Sequence, residues 1–417
     1  MSKKKIVLAY SGGLDTSVMV KWLQEEQSYD VITLTIDLGQ GKELEEVANK
    51  SRNLGAIETV VIDAKDIFAE SFVAPALRAG ALYEGEYPLA TALARPLIAK
   101  FLVDTANKYG ANSVAHGCTG KGNDQVRFEI TIGILAPELK VLAPVREWKM
   151  NREEELEYAR KFGIEVSQEK TLFSVDQNLW GRSIEAGILE DPWCEPPETA
   201  YEWTKSYVNA TREALEIEVT FDKGVPTAID GKNYSLVQII ENLNFLGGSY
   251  GIGRIDHVEN RLVGIKTREV YEAPAAVLLH AAHRAVETLT LSKEQAKLKQ
   301  HISKEYADMV YNGLWFSSLH QDMLAYLSMN QRFVSGIARI KLMPGNYSVV
   351  GRKSDFSLFN PRLATYGKND DFDHTAAVGF IKVFSNSVVN QAHIQLIDQL
   401  PVTRDKNLLN EINKEDI

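Results

Sequence analysis

The segment Ala9-Tyr10-Ser11-Gly12-Gly13-Leu14-Asp15-Thr16-Ser17 constrains this chain more than any other, because it joins an apolar run, Lys5–Ala9, directly to an amphipathic helix. Gly12 and Gly13 let backbone amides approach an anion closely. The helix amino terminus adds partial positive charge, and Ser11, Thr16 and Ser17 add hydroxyls. A strand-to-helix junction at the carboxyl edge of a sheet is where open α/β sheets hold ligands. Gly-Gly alone would read as a plain turn before a capped helix; the full nonapeptide in this position reads as a phosphate loop. It lacks the lysine of a Walker A loop and the GxGxxG pattern, so neither a γ-phosphate-transferring P-loop nor a dinucleotide fold is indicated.

The surroundings repeat that rhythm. Strands are expected at Lys5–Ala9, Val31–Ile36, Glu58–Ile62, Ser113–Ala115 and Val141–Ala143, alternating with helical patterns, as in a parallel sheet wound with crossover helices. Val18, Met19, Trp22 and Leu23 share one helical face, and Leu93, Leu97, Phe101 and Thr105 repeat the spacing. Pro96 is expected to disturb that second helix, biasing Arg95 away from helical geometry. Asn151 and Glu154 form a capping-box start for a helix running to about Phe162. Farther on, Glu216–Phe221 and Val225–Ile229 flank Lys223-Gly224, and Arg339–Leu342 and Ser348–Arg352 flank Pro344-Gly345, as two hairpins. Ala377, Phe380, Ile381 and Phe384 begin a terminal amphipathic helix. The expected fold is α/β: an N-terminal doubly wound parallel sheet over residues 1–170, a second α+β domain over 171–365, and a C-terminal helical arm over 366–417.

Charge and cysteine content narrow the function. The 417 residues carry a net charge of −10, which would repel a phosphate backbone, so sequence-blind nucleic-acid binding is not expected. Residues 151–202 hold 13 acidic and 5 basic residues, most of that excess, read as a solvated helix face followed by an exposed connector containing Pro192, Pro196 and Pro197. Residues 89–128 hold five basic and two acidic residues, a local field suited to ATP and dicarboxylates. Cys118 and Cys194 are the only cysteines, outside any CxxC pair, which fits a reducing compartment and no cysteine-ligated zinc. The apolar stretch Ile6–Tyr10 is too short for a secretory signal and no run is long enough to span a membrane, so a cytoplasmic protein is expected. His280 and His283 read as core or interface histidines, Trp180, Trp193 and Trp203 as packing residues.

A second constellation follows the strand Ser113–Ala115: Gly117-Cys118-Thr119-Gly120-Lys121-Gly122-Asn123-Asp124-Gln125-Val126-Arg127-Phe128. Its hydroxyl, amide, carboxylate and guanidinium groups suit a zwitterion better than a metal. Asp124 would meet an ammonium, and Arg127 or Thr119 a carboxylate. By composition alone such a loop is as readily just a turn.

The nonapeptide resembles the signature of the N-type ATP pyrophosphatases, with a fold like that of the adenine nucleotide α-hydrolases. Taken with the second motif it is similar to the pair marking the argininosuccinate synthase family. That resemblance extends through Tyr87–Pro96, Ser174–Trp180 and Gly253–Arg261. It implies an enzyme that ligates citrulline and aspartate with release of AMP and pyrophosphate. It further implies that Ala9, Tyr10, Ser11, Gly12, Gly13, Leu14, Asp15, Thr16, Ser17, Ile36 and Gly117 hold ATP, Ile36 standing where the family often has alanine. Thr119, Asn123 and Asp124 would hold aspartate. Tyr87, Thr91, Asn123, Arg127, Ser174, Ser183, Glu259 and Tyr271 would hold citrulline. No residue acts as nucleophile; Ser11, Thr16 and Ser17 would stabilise pyrophosphate, and magnesium would ride on the phosphates rather than in a fixed protein site. A homotetramer is also implied. The competing readings are a tRNA-thiolating or amidating pyrophosphatase, which would want basic extensions or a second cysteine in the loop, and a non-catalytic nucleotide-binding module.

Overall fold

The computed structural model describes residues 4–41, 44–148, 150–164 and 172–396. The chain forms two compact units, 1–358 and 359–417. The boundary expected near residue 170 lies outside the described residues.

Strands β1 (Lys4–Ala9), β2 (Tyr29–Asp37), β3 (Glu58–Asp63), β4 (Ser113–Ala115) and β5 (Lys140–Leu142) build one parallel sheet in the order β3-β2-β1-β4-β5. All five lie within two residues of the expected positions. Alternation along β1 explains how the sheet is covered on both faces. Ile6 and Leu8 pack with Val18, Met19 and Leu23 of helix α1 (Leu14–Glu25), whereas Val7 packs in the separate cluster that holds Leu93 and Leu97. Helix α2 (Leu44–Asn53) follows β2. Helix α3 (Ala90–Tyr109) is one helix through Pro96, against the expected disturbance. Pro96 is buried there, and Leu89 at the amino-terminal cap takes φ 67°, a left-handed conformation costly for a branched residue. Helices α4 (Asp124–Leu135) and α5 (Arg152–Lys161) follow, the latter with the expected Asn151–Glu154 capping box.

The strand order reverses at β1, whose neighbours β2 and β4 lead away in opposite directions. That switch point opens a crevice beyond the strand ends. Both sequence motifs start there, one after β1 and one after β4.

Beyond it lie β6 (Ser174–Asn178), β7 (Gly181–Glu185), β8 (Leu215–Asp222), β9 (Val225–Ile229), β10 (Lys232–Asn233), β11 (Arg254–Asn260), β12 (Lys266–Glu272), β13 (Gly336–Met343) and β14 (Asn346–Lys353). They make two antiparallel sheets, β10-β9-β8-β13-β14 and β11-β12-β7-β6. Both expected hairpins are present in the first. Helices α6 (Leu236–Ser249), α7 (Pro274–Thr290), α8 (Lys293–Tyr311) and α9 (Ser318–Asn330) accompany them, so this part is α+β as expected. The segment read as an exposed connector departs from expectation. Residues 174–185 form the β6–β7 hairpin, whose Ile184 is fully buried with Val270 of β12. Of the tryptophans assigned to packing, Trp180 is fully buried and donates to the Pro88 carbonyl (2.8 Å), but Trp193 is 94% exposed. The 359–417 unit contains α10 (His374–Gln391), capped by Asp373, with Phe380, Ile381 and Phe384 exposed.

Candidate active site

A cavity of about 730 Å³ occupies the crevice beyond β1 and β4. Its walls combine the phosphate loop, the loop after β4 and residues of β6 and β7.

The phosphate loop owes its shape to its glycines and hydroxyls. Gly12 has φ 75°, and a Cβ there would meet both γ-carbons of Val47 at 3.1 Å. Gly13 caps α1 with extended geometry and no side-chain cap, and the helix amino terminus lies on the cavity wall, where its dipole favours an anion. The Ser11 and Thr16 hydroxyls lie 3.2 Å apart on the cavity wall. Ser17 differs from them: fully buried, its hydroxyl donates to the Gly13 carbonyl (2.7 Å) and shapes the loop from within. Asp15 and the buried Ile36 also line the cavity. Lys50 of α2, unmarked by any motif, donates to the Gly12 carbonyl at 2.9 Å and brings a cation to a loop without a lysine of its own.

The second motif touches the first. A Cβ on Gly117 would sit 3.4 Å from the Met19 sulfur and 3.6 Å from the Thr16 methyl. Thr119 is exposed on the cavity wall. Asp124 accepts from Arg127 Nη1 (2.8 Å) and Arg95 Nε (2.9 Å), and Arg95 also pairs with Asp176 of β6. Burial opposes ionisation of Asp124, but the two guanidiniums outweigh it and hold the carboxyl below its usual range. Burial and the neighbouring Asp124 push the Cys118 thiol well above its ordinary value, so it stays protonated. His116, buried at the end of β4, is pushed down to about 4 and is neutral near pH 7.

Behind Asp124, five of the residues assigned to citrulline, Tyr87, Asn123, Arg127, Glu259 and Tyr271, form a buried cluster. Arg127 is 3% exposed and its Nη2 has no partner among the described residues, so one guanidinium donor awaits an anion. Glu259, also 3% exposed, accepts from the hydroxyls of Tyr271 and Tyr311, each at 2.7 Å. Tyr87 stacks on Tyr271 with centroids 4.3 Å apart, and its hydroxyl accepts from the Thr91 amide (2.9 Å). A buried cation near a buried anion, framed by phenols, is matched to the two ends of an α-amino acid.

The four-stranded sheet delivers the remaining groups by register. Tyr271 pairs with Ser183, Ser183 with Asp176, and Ser174 with Glu185, so period-two alternation places Ser174, Ser183, Glu259 and Tyr271 on one polar face. Ser174 is exposed at the outer strand of that face, apart from the buried cluster. Glu269 shares the face. Burial, with Glu185 and Glu259 nearby, pushes its carboxyl up to about 9 despite the adjacent Arg261. Sequence reasoning missed Lys50, Arg95 as an ion-pair partner, Arg261 and Tyr311. A basic residue beside Pro96 in a helix was the available signal for Arg95.

Comparison with known proteins covers both halves. Residues 5–165 match the arginosuccinate synthase N-terminal HUP domain, and residues 173–390 match the arginosuccinate synthase C-terminal domain. An argininosuccinate synthase of Geobacillus thermodenitrificans is 56% identical over 397 residues, covering 94% of this chain and 98% of the relative. One from Dehalococcoides mccartyi is 54% identical over 396 residues, covering 94% and 97%. With matches of that extent on both sides of the cavity, the chain belongs to the argininosuccinate synthase family.

Proposed function

We propose that this chain is the ATP-dependent carbon–nitrogen ligase that joins citrulline to aspartate, giving argininosuccinate, AMP and pyrophosphate in arginine biosynthesis. The observation that carries the proposal is the contact of the phosphate loop with the Gly117–Arg127 motif on one cavity, with the Arg127–Glu259 cluster directly behind it. ATP is held by Ala9 to Ser17, Ile36 and Gly117. Aspartate is held by Thr119, Asn123 and Asp124. Citrulline is held by Tyr87, Thr91, Asn123, Arg127, Ser174, Ser183, Glu259 and Tyr271, its carboxylate meeting Arg127 and its ammonium Glu259. Residues 1–170 supply the nucleotide domain, 171–365 the synthetase domain, and 366–417 an arm through which the chain assembles as a cytoplasmic homotetramer.

Two displacements follow. The ureido oxygen of citrulline attacks the α-phosphorus of ATP and the bond to pyrophosphate breaks, giving citrullyl adenylate. The aspartate amine, having lost a proton, then attacks the ureido carbon and the bond to AMP breaks. The chain's part is positioning and electrostatic stabilisation: the amino terminus of α1 with the Ser11 and Thr16 hydroxyls faces the departing pyrophosphate, while Ser17 and Lys50 keep the loop in shape. The protonated Cys118 is unsuited to sulfur transfer, which disfavours the thiolating alternative. Among the described residues no group of three or more His, Cys, Asp or Glu is placed to hold a metal, and no helix is long and apolar enough to cross a membrane. Magnesium bound to phosphate oxygens and water, with Asp15 on the adjoining wall, fits that donor set and would neutralise phosphate charge. The test is pyrophosphate release from ATP, expected only with citrulline and aspartate both present. Release driven by RNA, or ATP binding without turnover, would sink this reading.

A further inference from the structure

Tyr311 ends α8 and belongs to neither sequence motif, yet more of the citrulline cluster converges on it than on any residue assigned to the site. It is 1% exposed. Its hydroxyl donates to Glu259 Oε1 (2.7 Å) and accepts from Asn123 Nδ2 (2.7 Å). Its carbonyl accepts from Arg127 Nε (2.9 Å), and the Arg127 guanidinium lies 4.8 Å from its ring centroid. Tyr83 stacks on the ring at 3.5 Å between centroids, so the phenol cannot swing away without breaking that stack.

The directions of these bonds are mutually enforced. The Leu262 amide donates to Asn123 Oδ1 (2.9 Å), so that end must be the oxygen and the Nδ2 end must point at Tyr311. Asn123 Nδ2 can only donate, so it takes the phenol lone pair and the single phenol proton is left for Glu259 Oε1. The result is a directed chain, Asn123 to Tyr311 to Glu259, in which each bond polarises the next. It joins α4 to β11, and with the Arg127 bond it fixes three of the residues assigned to citrulline.

We propose that Tyr311 is a positioning residue of the citrulline pocket, locking Asn123, Arg127 and Glu259 in the arrangement that receives the amino-acid end of the substrate. This rests on the functional reading above. Removing the hydroxyl leaves Asn123 Nδ2 buried without an acceptor and Glu259 with one phenol instead of two. The ATP loop, built on α1 and α2, is untouched.

The test compares Tyr311→Phe, which retains the ring and the backbone carbonyl, with Tyr306→Phe on the same helix. Tyr306 is fully buried and its hydroxyl bonds His320 Nε2 (2.9 Å), away from the cluster. Tyr311→Phe is expected to raise the citrulline KM about 10- to 100-fold, the loss of a hydrogen bond to a charged group, with kcat changed less than about threefold and the ATP KM unchanged. Tyr306→Phe should leave the citrulline KM at the wild-type value. Wild-type enzyme without citrulline-dependent turnover would overturn the functional reading, and this inference with it. Wild-type turnover with an unmoved KM in Tyr311→Phe, or an equal rise in Tyr306→Phe, would overturn the inference alone. A measurement needing no variant is hydrogen exchange of the wild type: citrulline alone should slow exchange across residues 309–314, and no slowing would also overturn it.

Discussion

Ser11 stands exposed at the mouth of the phosphate loop, its hydroxyl 3.2 Å from that of Thr16 and within reach of the Gly13 amide (3.4 Å). Its neighbour Ser17 spends its hydroxyl on the loop itself. Ser11→Ala is therefore expected to lower kcat about 100-fold, the scale of losing one donor to developing charge, while the citrulline KM moves less than about threefold. Steady-state kinetics decide it, and an unchanged kcat would remove Ser11 from the chemistry. Such a role was legible because the nonapeptide is contiguous, so its local geometry follows from nine neighbouring residues. The cation on the same loop was not, since Lys50 reaches Gly12 from 38 residues away, nor was Tyr311, 188 residues from Asn123. Ser174, Ser183 and Tyr271 carry no local signature, and only family resemblance singled them out.

Elements differ in legibility for a related reason. The inner strands β1, β2 and β4 are buried on both faces, and the burial that makes them strands is written in their composition. The β6–β7 hairpin turns Ser174, Asp176, Ser183 and Glu185 toward the site, so its sequence has the polarity of a surface loop. Its acidic residues Asp176 and Glu185 line the cavity, paired with Arg95 and Arg261. β11 enters its sheet through Gly253, which has φ 105° and would place a Cβ 2.5 Å from the backbone of Pro274 at the start of α7. No rotamer change relieves that overlap. Gly253→Ala should destabilise the fold by about 1–3 kcal/mol, the usual cost of overpacking, and should raise the citrulline KM because β11 carries Glu259. Thermal melts with citrulline kinetics test this; a wild-type melt would show that the strand entry has room to shift.

At the scale of the molecule, buried titratable groups set opposing limits on pH. Burial holds His116 and His283, each 1% exposed, down to about 4, whereas both would titrate near 6.5 when unfolded. The unfolded chain binds more protons between those values, so this stability is fully present above about pH 6.5 and is lost as pH falls through 4. Glu269 has the opposite sign: folded, it keeps its proton up to about 9, and unfolded it ionises near 4.5, so stability falls as pH rises through that window. Melting temperature should therefore decline on both sides of neutrality. His283→Gln should flatten the acid limb and Glu269→Gln the alkaline limb; curves parallel to wild type would exclude those groups. The arm makes a separate prediction. Phe380 and Phe384 stack with centroids 5.2 Å apart while 65% and 73% exposed, so Phe380→Asp with Phe384→Asp should convert the proposed tetramer to smaller species in sedimentation, and an unchanged distribution would move the assembly surface elsewhere.

Gly117 and Thr16 are neighbours in space although they belong to motifs about a hundred residues apart: a methyl group at Gly117 would rest in ordinary van der Waals contact with the Thr16 methyl and the Met19 sulfur. The two loops therefore form one moulded piece. A chimaera that borrows the nucleotide loop from another pyrophosphatase while keeping the native segment after β4 would carry mismatched halves of a single seam. Redesign of substrate choice in this scaffold has to move both loops together, with α1 between them as the part that sets their fit.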